Sequence, residues 1–240
     1  MFSYRWGASI VTPGKKIIWN FEAPPNTEIH SAQPAGKNRV LLAENGAPTM
    51  LLIVNTKSGK IEKELELPTA HPDQVHGQVR RAHLTPAGTF LVGKIEEHQV
   101  MEYDQQGKEI WSVQIPGDWD AVRLKNGDTL ISGNQHGFVK EVNPKGEVVW
   151  DLEPQDLPGF PLDVVQEVNR LANGDTVIAN WIAGNNKPDQ WPNTVQIIEV
   201  TPAKKVMWVL SQWKHPDLGP ASSIQLLDQP GIPEKGELQR

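Results

Sequence analysis

WDAVRLKNGDTLISGNQHGFVKEVNPKGEVVW, from Trp119 to Trp150, reads as four short strands joined by three tight connections. The strand pieces are Ala121–Leu124, Asp128–Ser132, Phe138–Val142 and Glu147–Trp150. They alternate in polarity and are rich in β-branched residues, the pattern of strands with one face on a core. Asn126-Gly127 and Pro144-Lys145-Gly146 supply the positive-φ positions that close hairpins. A meander this short buries too little apolar surface to stand alone, so it requires copies of itself as neighbours.

The copies follow two landmarks. The first is a turn leading into an outer strand, as in Thr12-Pro-Gly-Lys-Lys-Ile-Ile-Trp19, Asp104-Gln-Gln-Gly-Lys-Glu-Ile-Trp111 and Asn143-Pro-Lys-Gly-Glu-Val-Val-Trp150. It recurs at Asn55–Glu62 and Thr201–Trp208. The second is a short inner strand, a turn and a hydrophobic strand, at Gln33–Ala43, Ala82–Val92, Ala121–Ser132 and Asn169–Ala179. A four-stranded unit repeating about every 40–50 residues marks a β-propeller. Four complete blades fall at Glu28–Leu67, His76–Ile115, Trp119–Leu152 and Val164–Trp213. Phe2–Arg5, Ala8–Val11 and Lys16–Phe21 supply three strands of another blade, and Ala221–Leu227 supplies its missing first strand. The expectation is therefore an all-β, five-bladed propeller over 1–229, closed by pairing the terminal strands, with a polar tail at 230–240. A six-bladed form lacking its first repeat is the alternative. Closure removes open sheet edges that invite aggregation.

Composition narrows the function classes. The 240 residues carry a formal net charge of −6 and no basic cluster, which argues against nucleic-acid binding. No apolar run has the length of a membrane helix. The chain has no cysteine, so disulfides, thiol nucleophiles and cysteine-ligated zinc are excluded. No charged and then apolar leader is visible at the start. Neither a phosphate loop, a Gly-x-Gly-x-x-Gly turn nor a Gly-x-Ser-x-Gly elbow occurs.

Trp19, Trp111, Trp150 and Trp208 recur at one outer-strand position, where each is expected to wedge between neighbouring blades. Here a family resemblance enters. Glu102-Tyr-Asp104-Gln-Gln-Gly107-Lys-Glu-Ile-Trp111 resembles the tryptophan-docking repeat of pyrroloquinoline-quinone-like propellers. The likeness returns at Val142–Trp150 and, more weakly, at Val11–Trp19 and Val200–Trp208. The inner strands with Arg80-Arg81-Ala82-His83, Asn169-Arg170-Leu171 and Asn180-Trp181 look like those of small bacterial propellers of that superfamily. Those members are exported, which implies a periplasmic or external location. Some six-bladed relatives are aryl sulfotransferases with a histidine nucleophile. The quinone-dependent dehydrogenases carry a calcium site, larger rings and a vicinal disulfide, so the resemblance implies a scaffold without the cofactor. No cofactor is expected.

Propeller topology places the long second-to-third turns and the blade crossings on one face, and rigidly framed loops are where binding residues collect. The residues expected at the mouth of that face are Glu28, His30, His76, Gln78, Arg80, Trp119, Gln166, Asn180, Trp181 and Gln225, with Arg5 and Trp6 at the same rim. Trp191 belongs to the long insertion Trp181–Thr194 and could stack on a ligand. Aromatic platforms mixed with amide and guanidinium donors suit a polar or anionic small molecule, or a protein partner. The competing reading is that these groups only satisfy backbone at the inner strands. His30 and His76 are the candidate bases of a hydrolase or transferase. The seven histidines lack metal-motif spacing, so no metal is expected, and Glu28 with His30 and His76 is the first cluster to test for one.

Overall fold

The computed structural model describes residues 1–133, 137–184, 186–227 and 231–232. Of the expected tail at 230–240, only 231–232 lie within that set. The chain forms two compact units, built mainly from Met1–Pro116 and Gly117–Gly231. Among the described residues no helix is long and apolar enough to cross a membrane.

The first unit holds three antiparallel sheets. Strands β1 (Phe2–Tyr4), β2 (Gly7–Val11) and β3 (Ile17–Glu22) form one, in that order. Next come β4 (Glu28–Pro34), β5 (Arg39–Asn45), β6 (Thr49–Asn55) and β7 (Ile61–Leu67), then β8 (Ala82–Leu84), β9 (Phe90–Lys94), β10 (Gln99–Tyr103) and β11 (Glu109–Gln114). The second unit holds β12 (Asp118–Arg123), β13 (Thr129–Gly133), β14 (Val139–Val142) and β15 (Val148–Leu152). Its other sheet is β16 (Val164–Arg170), β17 (Thr176–Trp181), β18 (Ile197–Val200) and β19 (Val206–Leu210). Every sheet is a simple meander, and together they make the blades of a five-bladed β-propeller. Among the described residues four blades show four assigned strands and the first shows three, with no strand assigned in 221–227, the segment expected to complete it.

Local chemistry explains the meanders. Gly127 and Gly146 take φ of 93° and 83°, the region the turns demand and that side chains with a Cβ avoid. Asn143 Oδ1 accepts from the backbone N–H of Lys145 and Glu147, pinning the same turn. The alternation of β5 then sorts its side chains between two neighbours. Val40 and Leu42 join Ala8, Trp19 and Ile29 on one side, whereas Leu41 and Ala43 join Val79, Phe90 and Val92 on the other. In the second unit Leu130, Val139, Val165 and Ile198 form the equivalent core between two blades.

The tryptophan expectation holds in part. Trp19 is 8% exposed and sits in the core of the first two blades. The Trp150 indole N–H donates to the Pro202 carbonyl, 2.8 Å away on the β18–β19 turn, while the Arg170 guanidinium lies 5.2 Å over its ring. Trp208 departs from the pattern at 50% exposed. It lies on β19, the outer strand of its blade.

Candidate functional site

The inner strands share a defect in register. Two residues of β4 oppose one of β5, leaving His30 as the extra residue between Ile29 and Ser31. The same shift leaves Trp119 extra in β12 and Gln166 extra in β16. In the third blade the N–H of Arg80 and the carbonyl of Arg81 both bond to Gly93, which makes Arg80 the corresponding residue. A bulge bends the strand and re-aims the extra side chain out of the pleat. Four of the residues expected at the mouth thus occupy one repeated, re-aimed position.

In the first unit two of these meet around a carboxylate. Glu28 is buried, and its Oε2 accepts from His30 Nε2 at 3.0 Å and from His76 Nδ1 at 2.7 Å. Its Oε1 accepts from Arg5 Nε at 2.7 Å and Nη2 at 2.5 Å. On the far side of both imidazoles, Arg80 Nη1 lies 3.2 Å from His30 Nδ1 and 3.3 Å from His76 Nε2. A guanidinium only donates and an ionised carboxylate only accepts. The ring between them must therefore donate to Glu28 and accept from Arg80. That fixes the tautomers: His30 carries its hydrogen on Nε2 and His76 on Nδ1. The imidazoles themselves meet edge to face at 5.0 Å.

The electrostatics agree. Burial pushes the Glu28 carboxyl up, but hydrogen bonds from His76, His30 and Arg5 outweigh it and hold the group at about 2. His30 falls to about 4, first because burial disfavours its charged form and then because Arg80 repels a second cation. Burial also lowers Arg80, opposed by Glu96 and Glu28. Access is uneven: His76 and Arg5 side chains are 65% and 57% exposed, whereas Glu28 and His30 are enclosed.

Glu28, His30 and His76 each offer one donor atom, and the three lie within 4.8 Å of one another. Such a set could hold a divalent ion by distance alone. A metal-bound imidazole, however, carries its hydrogen on the outer nitrogen and needs an acceptor there. Arg80 faces both outer nitrogens and can only donate. The arrangement does not fit a metal, and it does fit a network of hydrogen bonds ordered by charge.

Other predicted residues have different surroundings. Gln78 is buried; its Oε1 accepts from Gly46 N–H and the Thr49 hydroxyl, and its Nε2 donates to the Gly46 carbonyl. It braces the β5–β6 loop. Asn180 is likewise buried, accepting from Asp163 N–H and donating to the Pro161 and Val195 carbonyls. Its amide fastens the loop that follows β17. Trp191 donates to the Asn186 carbonyl at 3.1 Å and packs 6.1 Å from Trp213, so this loop is pinned by its own aromatics. Trp181 ends β17 half-buried, Gln166 is buried, Trp119 is half-buried, and Gln225 is exposed in 221–227. Glu96, which acts on Arg80, was not among the expected residues; it sits in the short turn after β9, where no pattern marks it.

No family model and no curated protein sequence matches this chain. Among solved structures it is similar to a protein of unknown function from Bacteroides caccae, with 27% identity and a TM-score of 0.78 over 88% of this chain and 77% of that one. Virginiamycin B lyase from Staphylococcus aureus is similar at 14% identity and a TM-score of 0.58, over 85% of this chain and 62% of the lyase. The WD40 β-propeller domain of Doa1 is similar at 17% identity and a TM-score of 0.54, over 72% and 54%. This chain thus spans less than two thirds of the last two. These likenesses are of the propeller fold.

Proposed function

We propose that this protein is a binding propeller whose Glu28-centred cluster receives a small anionic ligand, one bearing a carboxylate or phosphate. The observation that carries the reading is a buried, ionised carboxylate that preorients two imidazoles and the Arg5 guanidinium, with Arg80 behind both imidazoles and His76 and Arg5 turned toward solvent. Charge-assisted donors held by a rigid frame lose little freedom when an anion arrives. Titration calorimetry with phosphate and acetate tests it. Arg80→Gln, which removes the cation behind both imidazoles, is expected to weaken binding at least tenfold. Unchanged affinity in that variant sinks the proposal. The contact from Trp150 to the Pro202 carbonyl supports reading the repeats as pyrroloquinoline-quinone-like, with Glu28 and its neighbours in place of any quinone site.

One contact favours a second, catalytic reading. Glu28 holds the Nδ1–H of exposed His76, the arrangement that orients an imidazole to act through Nε2 as a general base. A hydrolase or transferase built this way loses turnover in His76→Ala. Turnover that survives alanine at both His76 and His30 excludes it.

A further inference from the structure

Strand β1 lies at the edge of the first blade. Phe2 and Tyr4 alternate along it and so share one face, and Trp6 stands in the two-residue turn that leads to β2. All three are open to solvent, at 50%, 37% and 62% exposure. Aromatic side chains of this size normally dominate cores and interfaces, and three exposed within five residues of one edge need a reason. Phe2 and Tyr4 are 6.0 Å apart with their rings tilted by 42°. Trp6 carries the Arg5 guanidinium 4.7 Å from its ring centroid. Arg5 is the same residue that grips Glu28 through Nε and Nη2. The aromatic row therefore runs directly into the cationic edge of the proposed anion site.

We infer that this row extends the site into a platform for an acidic oligosaccharide, a chain of pyranose rings carrying carboxylates. The inference rests on the anion-binding reading above. An aromatic acid prefers an enclosed apolar pocket, and this row is open and flanked by hydrogen-bonding groups. A pyranose has one face of C–H bonds that lies flat on an aromatic ring while its hydroxyls stay in water, and an open row suits it. Phe2 and Tyr4, alternate residues of the strand, are spaced by about 6.6–6.8 Å along it, which offers successive sugars successive rings. Charge complementarity selects the carboxylated form, because the Arg5 guanidinium is the exposed cation at the end of the row.

The test uses the whole chain with four probes: tetragalacturonate, an uncharged tetrasaccharide, acetate and phosphate. Calorimetry is expected to show tetragalacturonate binding at least tenfold tighter than acetate, and the uncharged tetrasaccharide not binding measurably. Phe2→Ala, at an exposed position that leaves the fold intact by circular dichroism, is expected to reduce tetragalacturonate affinity at least fivefold while phosphate binding is unchanged. If tetragalacturonate binds no tighter than acetate, or is indifferent to Phe2→Ala while the simple anions still bind, the saccharide inference is overturned and the anion site stands. If the uncharged tetrasaccharide binds equally well, charge selection is wrong. If none of the four binds, both readings fall together.

Discussion

Replacing Glu28 by Gln tests the hub of the cluster. A carboxyl held at about 2 instead of 4.5 favours the folded state at neutral pH by on the order of 3 kcal/mol. Two of its partners, Arg5 and His76, are more than half exposed, so solvent screening reduces the expected loss to about 2 kcal/mol. The replacement also puts an NH2 group in place of one carboxylate oxygen, facing either the two imidazole N–H donors or the Arg5 guanidinium, which leaves at least one donor without an acceptor. The pH dependence has a definite sign. A carboxyl with a depressed folded pKa stabilises fully above 4.5, and that contribution is lost as pH falls toward 2. The difference between the two proteins should therefore shrink in acid. Urea unfolding followed by tryptophan fluorescence should show Glu28→Gln less stable by about 2 kcal/mol at pH 7 and by less than about 1 kcal/mol at pH 3. A cost below about 0.5 kcal/mol at pH 7, the range of an ordinary surface change, would falsify the assignment of Glu28 as the hub. So would a cost equal at both pH values.

His30 predicts a second acid sensitivity, in a different window. Its folded pKa lies near 4 against 6.5 for a free imidazole, so the unfolded chain takes up a proton the native state refuses. Stability is full above pH 6.5 and is lost toward pH 4, by up to about 3 kcal/mol, and His30→Asn should flatten that slope in unfolding curves. The tryptophan set should split: Trp19→Ala should cost about 3–5 kcal/mol and Trp208→Ala less than about 1 kcal/mol, read as shifts in urea midpoint. Equal losses would mean the blade edges are packed alike. Gly137 has φ of 63°, and a Cβ there would lie 2.6 Å from the Leu162 Cβ and 2.9 Å from the Asp163 carbonyl oxygen. Gly137→Ala should lower the melting temperature by several degrees, and an unchanged melting temperature would contradict that close approach.

The fold was legible because its information is local and repeated. Each of Gly107, Gly127, Gly146 and Gly174 marks a turn that only a positive φ can close, and alternation in the flanking residues assigns the strands. The site was legible only in its members. Glu28 and His76 were both on the expected rim, yet nothing in their spacing says that one carboxylate oxygen serves both imidazoles. That depends on the bulges at His30 and Arg80, which are choices of register and carry no residue signature. Gln78 and Asn180 show what the sequence leaves open. A polar side chain at a strand end reads as a ligand donor, but the direction of its amide is set by which loop carbonyls it must satisfy. Trp208 shares its motif with Trp150, and its exposure depends on whether a neighbouring turn packs over the indole, which the motif does not encode.

The most direct test of the Glu28-centred account is the nitrogen spectrum of the imidazoles, recorded on 15N-histidine-labelled protein at pH 7 with and without phosphate. The account predicts the Nε2–H tautomer for His30 and the Nδ1–H tautomer for His76, with the His76 signals moving as phosphate is added. Reversed tautomers, or His76 signals indifferent to phosphate at saturating concentration, would contradict it.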